Sequence, residues 1–170
     1  MLDDGFRPER WEVLYAALAG AAAALTGLLF VAFSINLRSI TDNPTHVGRS
    51  RETLATLLIL LMLSIAVLIP GQGTRLLGAE LVGGGLLVLA TSIRNQMRTL
   101  SMLDPSGRSA WGRRNWILNA GTVAIIVGGV SLLVDVFGGL YWLLVTIGVY
   151  LPWAVINAWV LVVRVGRESR

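Results

Sequence analysis

The sequence predicts an all-α fold, a polytopic membrane helical bundle of five transmembrane helices, and three observations carry that prediction. First, 55% of the 170 residues are hydrophobic and only 14% are charged, where an ordinary soluble domain has about 25% charged residues. With a mean hydropathy of +0.70, the chain has more apolar surface than one small core can hide, so lipid is its solvent. Second, the apolar residues fall into five stretches close to the ~20 residues that a helix needs to cross a ~30 Å hydrocarbon layer. Third, the arginines crowd into alternate connections between those stretches.

The first stretch, about 13–37, carries no charge after Glu12. It is too long for a signal peptide, and its flank is acid-rich (Asp3, Asp4, Glu9, Glu12) where a signal peptide is basic. The second stretch covers about 54–70 and the third about 76–93. Both are near the lower length limit, which calls for little tilt or a thinned bilayer. Pro70-Gly71-Gln72-Gly73 separates them as a tight turn. The fourth stretch covers about 116–134 and the fifth about 140–163, joined by Phe137-Gly138-Gly139. The other two connections, 38–52 and 94–115, are long and polar, the latter with a turn at Asp104-Pro105-Ser106-Gly107. The whole chain, 1–170, is expected to be a single transmembrane domain. A four-span arrangement would put both termini on one side and spoil the arginine asymmetry.

That asymmetry orients the protein. The side with the N-terminus and the tight turns has three arginines (Arg7, Arg10, Arg75), and the side with the long connections and the C-terminus has the other eleven. The positive-inside rule places the second set in the cytoplasm, with the N-terminus out and the C-terminus in. Trp11, Tyr15, Tyr141 and Trp142 fall at the outer ends of spans, and Trp111 and Trp116 at an inner end, where amphipathic rings favour the headgroup zone. The outer side has six acids against its three arginines, a net −3, and the inner side a net +7. The inner charge suits anionic lipids. The outer charge would concentrate cations at a mouth.

Small residues recur along the first stretch. Ala16, Gly20 and Ala24 are four apart, and Ala23 and Gly27 continue on an adjacent stripe. Such rows let helix backbones approach closely in lipid. They serve either packing within the chain or contact between subunits of a homo-oligomer. Five thin helices leave little room inside one protomer, so a pathway forms more naturally between protomers.

An ionisable residue inside a span is costly and points to function. Glu80 is the leading candidate, about 6 Å from the start of the third stretch at ~1.5 Å per residue. Arg75 is five residues away and does not share its helix face. A partner for Glu80 is expected from another helix, from the Pro70 turn that includes Gln72, or from an ion or water. Thr26, Ser34, Asn36 and Gln72 are the other polar candidates for an ion pathway, although a hydroxyl can bond its own i−4 carbonyl. Pro152 removes one helical hydrogen bond and predicts a kink in the fifth helix, with Trp153 and Asn157 beside it.

The sequence has no cysteine and a single histidine, His46, so neither a thiolate site nor a multi-histidine metal site is expected. Phosphate loops and hydrolase or metalloprotease motifs are absent. No enzymatic activity, cofactor, metal or nucleic-acid partner is expected. All fourteen basic residues are arginine, a composition typical of GC-rich bacterial genes and pointing to a bacterial plasma membrane.

The run from Ala22 to Leu37 (AAALTGLLFVAFSINL), with Leu68-Ile69-Pro70-Gly71-Gln72 and Gly78-Ala79-Glu80-Leu81, resembles a group of uncharacterised small multi-pass membrane proteins of actinobacteria. Some of these are labelled as modulators of a membrane-bound AAA protease. The resemblance covers roughly the first three helices and implies a multi-pass fold without implying a reaction. Two function classes follow from the residues. One is an oligomer forming a cation-favouring or small-solute pathway. The other is a non-conducting regulatory subunit that binds membrane proteins or lipids.

Overall fold

Helix formation follows the apolar stretches but runs past them into polar sequence. The computed structural model describes residues 2–35, 44–100 and 105–168. Two short 3-10 helices, Leu2–Phe6 and Pro8–Trp11, lead into α1 (Glu12–Ile35). They are followed by α2 (Pro44–Leu68), α3 (Thr74–Leu100), α4 (Pro105–Val134) and α5 (Tyr141–Glu168). No strand occurs among the described residues, and five helices are long and apolar enough to cross a membrane. The protein is an all-α, multi-pass membrane protein.

Two helices begin well before their apolar stretches. α2 starts at Pro44 and α4 at Pro105. A proline at the first helical position needs no donor, and its φ is already helical. The expected turn at Asp104-Pro105-Ser106-Gly107 is therefore helix from Pro105 onward. The second and third stretches, short by composition, lie in helices of 25 and 27 residues. At ~1.5 Å per residue these exceed a ~30 Å hydrocarbon layer, so neither needs a thinned bilayer.

α2 stops at Leu68, because the residue before a proline is pushed out of the helical region. The Gln72 N–H donates to the Ile69 carbonyl (3.4 Å). Pro70 and Gly71 occupy the central positions, and Gly71 has a φ of 71°, as a type II turn requires.

The helices group into two compact units. The first holds the N-terminal 3-10 segment with residues 69–149, that is α3, α4 and the start of α5. Here α3 and α4 meet through glycines. A Cβ on Gly129 would stand 2.8 Å from the Gly78 carbonyl oxygen and 2.9 Å from the Val82 nitrogen. A Cβ on Gly85 would stand 2.6 Å from Ile126. Leu77, Leu81, Ile125, Leu132 and Leu143 are buried in this unit. The Thr146 hydroxyl, on α5, donates to the Gly121 carbonyl of α4 (2.8 Å).

The second unit holds α1, α2 and the remainder of α5. Leu29, Leu57 and Ala154 form its buried cluster, with Leu25, Phe33, Leu54 and Ala158 packed against it. The buried face of α1 is Tyr15, Leu18, Ala22 and Leu29, spaced at the three- and four-residue intervals of one helix face.

Candidate functional site

In the second unit, the early start of α2 carries Glu52 onto the helix. The sequence placed it at the end of a polar connection. It lies instead on α2, eight residues after Pro44 and next to the start of the apolar run from Leu54. Its Oε1 accepts a hydrogen bond from the Trp153 indole N–H of α5 (3.2 Å). One turn further along α5, the Asn157 amide donates to the Trp153 carbonyl (3.1 Å). Asn157 is only 6% exposed, so this bond satisfies a polar group that water does not reach. On α2, Arg49 and Thr56 are three residues before and four after Glu52 and share its face. The Thr56 hydroxyl donates to the Glu52 carbonyl (2.8 Å).

Pro152, Trp153 and Asn157 are thus brought together with an acid from another helix. The result is a half-buried carboxylate at the polar end of α2, bonded to an indole N–H of α5. An indole N–H is a donor that carries no charge of its own. Such a group can attract a cation.

In the first unit, the Glu80 carboxylate finds its partner in the turn before α3. The Gln72 amide donates to Glu80 Oε2 (2.7 Å), in an exposed setting. Of the partners expected for Glu80, the Pro70 turn supplies one. Further along α3, a polar cluster ties it to α4. Gln96 donates to Ser92 Oγ (2.9 Å) and to Asn119 Oδ1 (3.1 Å), and Ser92 donates to Asn119 Oδ1 (3.2 Å). Polar side chains bonding across helices act as packing links in lipid.

The remaining candidates divide cleanly. The Thr26 hydroxyl donates to the Ala22 carbonyl (2.7 Å) and the Ser34 hydroxyl to the Phe30 carbonyl (2.8 Å). Both bonds stay within α1. Asn36 lies outside the described residues. Ala16, Gly20, Ala24 and Gly27 are all exposed, and a Cβ at Gly20 or Gly27 would meet nothing within 4 Å. The small-residue stripe therefore faces away from the helices of its own unit. Among the helical glycines, Gly78, Gly85, Gly128 and Gly129 do pack within the chain.

Sequence reading missed Glu52, and a signal for it was present. Asn43-Pro44 pairs a favoured N-cap residue with a favoured first helical residue, and so marks a helix start eight residues before Glu52. No family model, no curated protein and no solved structure matches the chain.

Proposed function

We propose that the protein is a homo-oligomer of the bacterial plasma membrane that forms a cation-favouring or small-solute pathway, with Glu52 as its principal acid. The observation that carries this reading is the Glu52–Trp153 hydrogen bond, which ties an acid at the polar end of the second span to the fifth helix. A half-buried carboxylate at the end of a span attracts cations more strongly than one in open water. Arg49 on the same helix face supplies a counter-charge that an entering cation displaces. The open stripe of Ala16, Gly20, Ala24 and Gly27 supports the oligomeric part of the reading, because small residues are what helix contacts in lipid select. In this reading the N-terminus is outside and the arginine-rich side faces cytoplasmic anionic lipids.

Single-channel recording from purified protein in planar bilayers tests it. The expected result is a cation-favouring conductance whose selectivity falls in Glu52→Gln and changes little in Glu80→Gln. No conductance at any pH or voltage overturns it and favours the non-conducting regulatory subunit. Native mass spectrometry from mild detergent tests the oligomer separately, and a monomer alone removes that part.

A further inference from the structure

At one end of the first unit lies an open cavity of ≈ 590 Å³, within the ~300–1,000 Å³ range of small-molecule sites. Four aromatic residues, Phe6, Phe137, Tyr141 and Trp142, line it, and Asp135 is the acid among its lining residues. It is formed by the turn between α4 and α5, closed on one side by the first 3-10 helix.

The turn is held in a conformation that its residues do not favour. Asp135 has a φ of 53° and Phe137 a φ of 66°. Aspartate tolerates the left-handed region, but a bulky aromatic there is a true outlier. Strained residues persist where their surroundings over-determine them, and they cluster at ligand clamps. The surroundings here do over-determine the turn. The Trp142 indole N–H donates to the Phe137 carbonyl (2.7 Å). The Gly139 N–H donates to Ser131 Oγ (2.8 Å), and the Ser131 hydroxyl donates to the Val136 carbonyl. The Leu140 N–H donates to the Gly5 carbonyl (2.8 Å). That last bond brings the N-terminal segment, and with it Phe6, against the turn. Tyr141 is braced edge-on by Trp11, with ring centroids 4.9 Å apart and planes at 80°.

We propose that this cavity binds an alkylammonium group, the aromatic rings receiving the cation on their faces and Asp135 supplying the counter-charge. Ring faces attract quaternary and primary ammonium groups through their quadrupole, and aromatic cages use this to recognise such ligands. The turn joins the ends of two membrane-spanning segments, Asn115–Val134 and Tyr141–Val160. The cavity therefore stands at the depth of lipid headgroups, where ammonium groups are abundant. Simple interfacial anchoring does not account for the geometry. An anchor works at any backbone angle, whereas Phe137 is 81% exposed on a left-handed backbone. The site is independent of Glu52 and of any conduction.

The test uses the full chain purified in a maltoside detergent, with lipid retention titrated by native mass spectrometry. Short-chain phosphatidylcholine and phosphatidylethanolamine are expected to bind about tenfold more tightly than phosphatidylglycerol with the same acyl chains. Asp135→Asn, which keeps a residue that tolerates the left-handed region, should abolish that preference. Phe137→Gly gives a second readout: it should weaken ammonium-lipid binding while raising the melting temperature. Tetramethylammonium is the competitor. If it displaces the lipid, a free ammonium ion is a ligand in its own right, and if the lipid binds unchallenged, the headgroup within a leaflet is the ligand. Both results uphold the site. Equal retention of choline and glycerol headgroups, or a preference that survives Asp135→Asn, overturns it.

Discussion

Glu52 and Glu80 stand near the starts of their helices, eight residues after Pro44 and six after Thr74, yet their surroundings are opposite. Glu80 is exposed and bonds an amide eight residues back in its own turn. Glu52 is half-buried and bonds an indole 101 residues away on another helix. The contrast repeats in the glycines. A Cβ on Gly129 would press on the backbone of α3, and one on Gly84 of α3 would meet nothing within 4 Å. Composition assigns both glycines and Glu80 to the membrane and leaves Glu52 at its edge. Which way the helix turns assigns one to the fold and leaves the other on its surface.

The glycine pair gives the largest expected effect. Gly129→Ala puts a methyl group against the Gly78 carbonyl oxygen and the Val82 nitrogen, and neither backbone atom can swing aside. Helix separation should cost about 1–3 kcal/mol, as for other overpacked sites. Gly84→Ala enters open space and should stabilise by up to about 1 kcal/mol through helix propensity. Thermal unfolding in detergent reads both. Equal effects at the two positions would erase the contrast.

The acids come next. Trp153→Phe keeps a ring but removes the N–H that Glu52 accepts. The expected loss is about 1 kcal/mol, within the range measured for bonds between membrane helices. Gln72→Leu, which removes the exposed donor to Glu80, should stay within about 0.5 kcal/mol, as surface changes usually do. A larger loss from Gln72→Leu than from Trp153→Phe would reverse the ranking of the two acids.

Why was this not legible beforehand? Five spans, their order and the tight turns follow from apolar run length and from Pro70-Gly71 and Gly138-Gly139. The bond from the Pro70 turn to Glu80 was among the expected partners, because both ends are close in sequence. Helix facing was not legible. In water, the polar side of a helix marks the surface; in lipid, both sides are apolar and the mark is lost. Ala16, Gly20, Ala24 and Gly27 therefore read equally well as internal or external until their surroundings were seen. The starts of α2 and α4 were missed for a different reason. Pro105 read as a turn residue and Pro44 lay unremarked in a polar connection, although proline is favoured at the first helical position. The strained turn at Asp135 and Phe137 had only the two following glycines as a sign.

Threonine offers the finest version of the contrast. Thr26 and Thr146 both lie in spans and both donate hydroxyl bonds to carbonyls, Thr26 to its own helix and Thr146 across to Gly121 of α4. Thr26→Val should have no measurable effect. The Ala22 carbonyl keeps its helical hydrogen bond, and valine is at home in lipid. Thr146 is fully buried, and valine there fills nearly the same volume. The Gly121 carbonyl likewise keeps its helical bond, since a carbonyl oxygen has two lone pairs and loses only its second donor. The expected cost of Thr146→Val is therefore the net worth of one interhelical bond, about 0.6 kcal/mol, and no orphaned acceptor adds to it. Paired melting curves in one detergent resolve a difference of this size. A cost at Thr26 equal to that at Thr146 would mean that the Thr26 hydroxyl has a partner outside its own helix, and would return it to the list of pathway residues.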